Sequence, residues 1–183
     1  MANHVNWCFK LRTANEAASN LLESMYHRAE KAKGDSRDAH LTDIFESPQQ
    51  VIEEAYSIPK WSFIEEHDQY QNRMFGQSAW SAPDELFDRL MEELFRVDEN
   101  VSAVMRYDDE CLEFVGAIAW KGDEVVYHDH SDFEEIREYA KVRLAEKLES
   151  SEPVSNESAE AAMRDFVWDY LLQIEEEGDS YLN

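Results

Sequence analysis

The sequence predicts an α+β fold in which helices pack over an antiparallel sheet. Two observations carry that prediction. Segments with strand periodicity come in runs joined by short polar turns, and four segments carry apolar residues at helical spacing. With 183 residues, 43% of them hydrophobic and 12% aromatic, the chain has enough apolar mass for a packed core.

Taken in chain order, His4–Leu11 alternates, with Val5, Trp7, Phe9 and Leu11 on one face, as in a half-buried strand. Thr13 and Glu16 have capping-box spacing. Ala17, Leu21, Leu22, Met25 and Tyr26 then recur at helical intervals to about Lys33, and Gly34 stops the helix. A polar linker, 34–40, leads into two short helical stretches within 41–56. They are divided at Ser47-Pro48, a cap with proline at the first helical position. Lys60–Ile64 and Arg73–Trp80 read as strands around a polar loop. Ser81 is positioned to cap a helix whose apolar face is Leu86, Phe87, Leu90, Met91, Leu94 and Phe95. Strands at Ser102–Tyr107, Glu113–Trp120 and Glu124–His128 follow, then a helix over Phe133–Leu148. A spacer, 150–158, contains Pro153 and precedes a last helix, Glu157 to about Glu177.

The formal charge is −24, from 41 acids against 17 bases. It is graded along the chain: residues 1–40 carry five acids and six bases, whereas residues 121–183 carry eighteen and six. Phosphate affinity comes from cations, so direct nucleic-acid binding is not expected, nor binding to an anionic membrane. No apolar run approaches the roughly 20 residues of a membrane-spanning helix, and none at the N-terminus has signal-peptide length. Cys8 and Cys111 lie far apart among apolar neighbours, as expected of small buried residues in a reducing compartment. The expected location is the cytoplasm.

Few residues suggest catalysis. His128 and His130 would share one face of a strand, and Asp132 could add an oxygen ligand; alternatively Asp132 caps the helix beginning at Phe133. No Gly-x-Ser-x-Gly, phosphate-binding glycine loop or Cys–His set is present. Neither metal nor cofactor is assigned, and an enzyme is not expected. Trp61, Trp80, Trp120 and Trp168 lie in periodic apolar stretches, where most should be core or helix–sheet contacts.

Four patches carry a family resemblance: Asn6-Trp7-Cys8, Pro59-Lys60-Trp61-Ser62, Ser78-Ala79-Trp80-Ser81-Ala82-Pro83, and Tyr107-Asp108-Asp109-Glu110 with Glu113-Phe114-Val115-Gly116. Their order and spacing over residues 5–125 resemble the YubB ferredoxin-like family of phages and plasmids. Ala82 stands where that family has the first of two prolines. The resemblance implies a ferredoxin-like antiparallel sheet with helices packed on one face, to which this chain adds a C-terminal helix. The expected organisation is one domain over residues 1–149, with a helical insertion near 34–58, then a linker and acidic amphipathic helix over 150–183, the last helix lying outside the resemblance. The family has no established activity, so no catalytic residues follow from it.

The carboxylates remain. Asp84, Glu85, Asp88, Glu92 and Glu93 are expected on the outer face of one helix, and Asp108, Asp109 and Glu110 on a turn. Glu157, Glu160, Asp165 and Asp169 step along the last helix, and Glu175, Glu176 and Glu177 lie near its C-terminus, where the helix dipole prefers cations. Acids placed at such local cost are candidates for a binding surface. Duplex DNA presents about one phosphate charge per 1.7 Å of axis. Rows of carboxylates can imitate part of that field inside a DNA-binding cleft. With the mobile-element resemblance, the expected function is non-enzymatic inhibition of a host nucleic-acid-binding defence complex by DNA mimicry, in the host cytoplasm. The alternative is a protein-interaction or dimerisation module, for instance a homodimer through the last helix, whose acidity serves solubility or salt adaptation.

Overall fold

A computed structural model describes residues 3–149 and 153–182. Residues 150–152, the start of the expected spacer, lie outside the described residues. The elements are β1 (His4–Thr13), α1 (Glu16–Ala32), β2 (Ala39–His40), a 3-10 turn (Leu41–Ile44) and α2 (Pro48–Glu54), followed by β3 (Ser62–Asp68), β4 (Arg73–Ala79) and α3 (Asp84–Phe95). Then come β5 (Ser102–Asp109), β6 (Phe114–Lys121), β7 (Glu124–Asp132), α4 (Phe133–Lys147) and α5 (Asn156–Ser180). The fold is α+β, as the periodicity predicts. The sheet has seven strands in the order β2-β3-β4-β1-β5-β6-β7, every neighbouring pair antiparallel. It is larger than the four strands of a ferredoxin-like sheet.

The helices do not pack on one face, and this corrects the expected arrangement. On the first face, Val5, Trp7, Phe9 and Leu11 of β1 meet α1 through Leu22 and Met25, and α3 through Phe87, Leu90 and Leu94. Phe87 stacks on Phe9 at 4.6 Å between ring centroids. On the second face a separate core joins Val115 and Ala117 of β6 to Ile136 and Ala140 of α4 and to Met163, Val167, Leu171 and Ile174 of α5. The cause is β6. Its residues Val115 through Trp120 are all buried, as in a strand covered on both sides. Helix α5 is thus a layer of the same fold, closing a core that β6 alone would leave open to water.

One row of residues runs straight across the sheet. Gly76 pairs with Trp7, Trp7 with Tyr107, Tyr107 with Gly116, and Gly116 with His130. The aromatic rings lie over the glycines. A Cβ on Gly76 would come 2.3 Å from Trp7 Cζ2, and one on Gly116 would come 2.3 Å from Tyr107 Cζ. Both positions require the bare backbone.

Several helix starts differ from their sequence signals. Thr13 is still in β1, opposite Ser102, so Asn15 caps α1 by accepting from Ala18 N at 3.0 Å. Pro83, not Ser81, precedes α3, and no side chain caps that helix. Strand β7 continues past His128 to Asp132, which closes a capping box with Glu135 at the start of α4. The reading of Asp132 as a cap is the one the geometry supports.

Candidate functional site

The acids expected on the outer face of α3 are mostly engaged by the fold. Glu85 accepts from the backbone amides of Tyr56 and Ser57, both at 2.8 Å, and so holds the end of the α2 segment. Asp88 accepts from Trp120 Nε1 at 2.7 Å. Glu92 pairs with Arg89, and Glu93 with Arg96. Asp84 faces inward near His128 and His130. Burial pushes its carboxyl above the ordinary range, and the two histidines pull it back. Burial raises Asp88 likewise, against the Trp120 bond that lowers it. None of the five is a simple outward charge.

The acids expected on the β5–β6 turn divide in the same way: Asp108 and Asp109 are the last residues of β5, and Glu110 begins the turn. Asp109 is fully buried, and its Oδ2 accepts from Cys111 N and Glu113 N, fixing the turn. Asp108 accepts from Asn6 Nδ2 at 3.0 Å, and burial raises its carboxyl although that bond opposes the shift. Glu110 is exposed, as is Cys111, contrary to the expected burial of that thiol.

On α5 the sheet decides which acids turn outward. Glu175 is half-buried, between Arg12 of β1 and Arg106 of β5, the latter at 2.7 Å. Asp179 pairs with Arg12 at 2.6 Å. These sheet cations offset the unfavourable end of the helix dipole. Glu157, Glu160, Asp165, Asp169, Glu176 and Glu177 are exposed. Of these, Glu160 reaches Arg137, Asp169 lies 3.7 Å from Arg143, and Glu177 accepts from Gln173 and Tyr127. Among the described residues, Glu157, Asp165 and Glu176 have no ion-pair partner.

His128 and His130 share a face of β7, as the alternation predicts. His130 Nδ1 lies 3.1 Å from Tyr107 Oη, its ring stacks on Phe114, and Asp132 is committed to its cap. Among the described residues no three His, Cys, Asp or Glu side chains are placed to hold a metal ion.

Two features were not visible in the sequence. The first is a cation strip on the second face of the sheet. Lys10, Arg12, Arg73 and Arg106 come from three strands, and the two neighbouring arginines, after burial, lower the Lys10 ammonium. Their separation along the chain hid them. The second is a cavity of about 580 Å3 between α5 and the β1–β4 side of the sheet, bounded by Phe75, Trp168 and Leu171 and by Glu65, Asp108 and Glu110. Trp168 is 58% exposed and Trp80 60%, whereas Trp120 is fully buried, so the expectation of buried tryptophans fails for two of the four. Arg106 lies over the Trp168 ring at 5.1 Å from its centroid.

Comparison with family models, with curated proteins and with solved structures finds no match for this chain. No helix among the described residues is long and apolar enough to cross a membrane.

Proposed function

We propose that this protein is a non-enzymatic binding protein of phage or plasmid origin that occupies the nucleic-acid-binding surface of a host defence complex. It does so by presenting carboxylates where phosphates would lie. The observation that carries this reading is the contrast between the two helical layers: α3 engages its acids within the fold, whereas α5 keeps Glu157, Asp165 and Glu176 outward with no ion-pair partner among the described residues. From Glu157 to Glu176 the axis advances about 28 Å at 1.5 Å per residue. That length carries roughly eight phosphates on one DNA strand. The outer acids of α5, with Glu110 beside them, reproduce a part of that field. The working surface is therefore narrower than the sequence suggests: it centres on α5 and Glu110, and neither α3 nor Glu175 belongs to it. The mobile-element origin rests on the residue resemblance alone.

The test is capture from a bacterial lysate by the wild-type chain and by a variant carrying Glu157→Lys, Glu160→Lys, Asp165→Lys and Asp169→Lys. Capture of a DNA-binding protein that is lost in the variant, competed by duplex DNA and weakened steeply by salt supports the proposal. Capture that survives the reversal, or ignores DNA, overturns it. A second reading, docking through apolar surface, is favoured by Trp168 and Leu172, exposed one turn apart on α5; such docking would change little with salt. Two copies joined along α5 would set Asp165, Asp169 and Glu176 against one another, so the charge favours a cationic partner over a second copy.

A further inference from the structure

Two cavities of the molecule differ in their charge balance. The cavity of about 400 Å3 between α1, α2 and α3 contains Arg28, Arg89 and Arg96, each paired to a carboxylate of the same cavity: Glu46, Glu54 or Glu92, and Glu93. It is neutralised from within. The cavity beside α5 is not. Glu65, Asp108 and Glu110 line it against one lining guanidinium, Arg164, which donates to the Glu110 carbonyl oxygen at 2.9 Å. Asp109, also part of its lining, is fully buried, and its Oδ1 has no hydrogen-bond partner among the described residues. Its lining includes Phe75, the buried Trp7 and the largely exposed Trp168. The volume falls in the ordinary range of ligand sites.

We propose that this cavity receives an arginine side chain of the partner protein, its guanidinium packed against Trp168 and Phe75 and its N–H groups donated to Asp108 and the neighbouring carboxylates. The proposal rests on the reading of the α5 face as the surface that meets a cationic partner, and names the group that surface recognises. The aromatic walls favour arginine over lysine, because a planar, weakly hydrated guanidinium stacks on rings and spreads several donors toward carboxylates. The molecule already uses this contact once: Arg106 lies over the same Trp168 ring with Glu175 as its counter-ion. Burial raises the Asp108 carboxyl against the Asn6 hydrogen bond and Arg106, which lower it, and an incoming cation would act in the same sense as those two.

The test uses the full chain and two neutral-ended peptides, acetyl-Gly-Arg-Gly-amide and its citrulline counterpart, which keeps the shape and loses the charge. Binding is read by calorimetry and by tryptophan fluorescence. The arginine peptide should bind saturably and at least tenfold more tightly than the citrulline peptide. Trp168→Ala and Asp108→Asn should each weaken it at least fivefold, whereas Glu157→Gln and Asp165→Asn, outside the cavity, should leave it within twofold. Equal binding of the two peptides to the wild-type chain overturns the proposal whether or not any variant folds, and so does arginine binding that both cavity variants leave intact. The larger reading fails separately. If arginine binding is confirmed but reversal of the α5 charges leaves lysate capture intact, mimicry falls and the cavity stands. If capture follows the α5 charges while the peptides bind alike, the cavity proposal falls alone.

Discussion

Helices α3 and α5 lie on opposite faces of one sheet, are both amphipathic and are both rich in acids, yet their carboxylates have different roles. On α3, Asp88 meets a buried indole, Glu85 closes a backbone loop, and Glu92 and Glu93 meet arginines of the same helix. On α5 the acids over the cation strip, Glu175 and Asp179, are drawn in, and Glu160 and Asp169 reach arginines of α4. Among the described residues, Glu157, Asp165 and Glu176 face solvent without an ion-pair partner. An acid's role here depends on what stands across from it, which position along a helix does not reveal.

The largest effect expected from disturbing that comparison is in the first layer. Phe87→Ala empties a fully buried site stacked on Phe9, and should cost about 3–5 kcal/mol by urea denaturation. Arginine-peptide binding should be unchanged wherever the variant remains folded, because Phe87 does not line the cavity. A loss of binding in the folded variant would show that the two layers are coupled.

Next is the neighbouring pair Glu175 and Glu176. Glu175→Gln leaves Arg12 and Arg106 without their shared carboxylate, and should cost about 1–3 kcal/mol, below the range for a fully buried pair because both arginines keep some contact with water. Glu176→Gln should leave the unfolding midpoint where it was. Equal midpoints for the two variants would remove the distinction between inward and outward acids.

A smaller effect is expected with pH. Asp84, Asp88 and Asp108 have carboxyls that burial raises above their ordinary value, so each holds its proton more tightly in the folded chain than in the unfolded one. Stability should therefore rise as pH falls from neutrality toward the raised values, the reverse of an ion-paired carboxylate, with the gain complete once the unfolded groups are protonated as well. Each kcal/mol gained would move the melting temperature by about 2–4 °C in a chain of this size. In Asp84→Asn the rise between pH 7.5 and pH 5 should shrink. An unchanged rise would assign it to relief of the overall negative charge instead. The smallest effect expected is that of Asp165→Asn on stability: the melting temperature should hold, while lysate capture weakens.

Local patterns were legible wherever a single element sets them. The alternation of Val5, Trp7, Phe9 and Leu11 marked β1, and the apolar stripe of α3 marked its buried face. The unbroken apolar run of β6 marks a strand, and the same run is the sign of a strand covered on both sides. Helix starts were misplaced where sheet pairing outran the capping signal, as at Thr13. The candidate site was less legible. The two exposed tryptophans sit in stretches as apolar as that of the buried Trp120, and the spacing of Glu175 gives no hint of Arg12.

The sequence by itself determined the α+β class, the segments that form helices and strands, and the total of negative charge, because these depend on local periodicity and composition. Only the tertiary structure decided that helices cover both faces, that Lys10, Arg12, Arg73 and Arg106 gather under α5, and that a cavity opens beside Trp168. Strand order is set by pairings between residues about a hundred positions apart, such as Asn6 with Asp108, and those pairings determine which charges meet and which remain free.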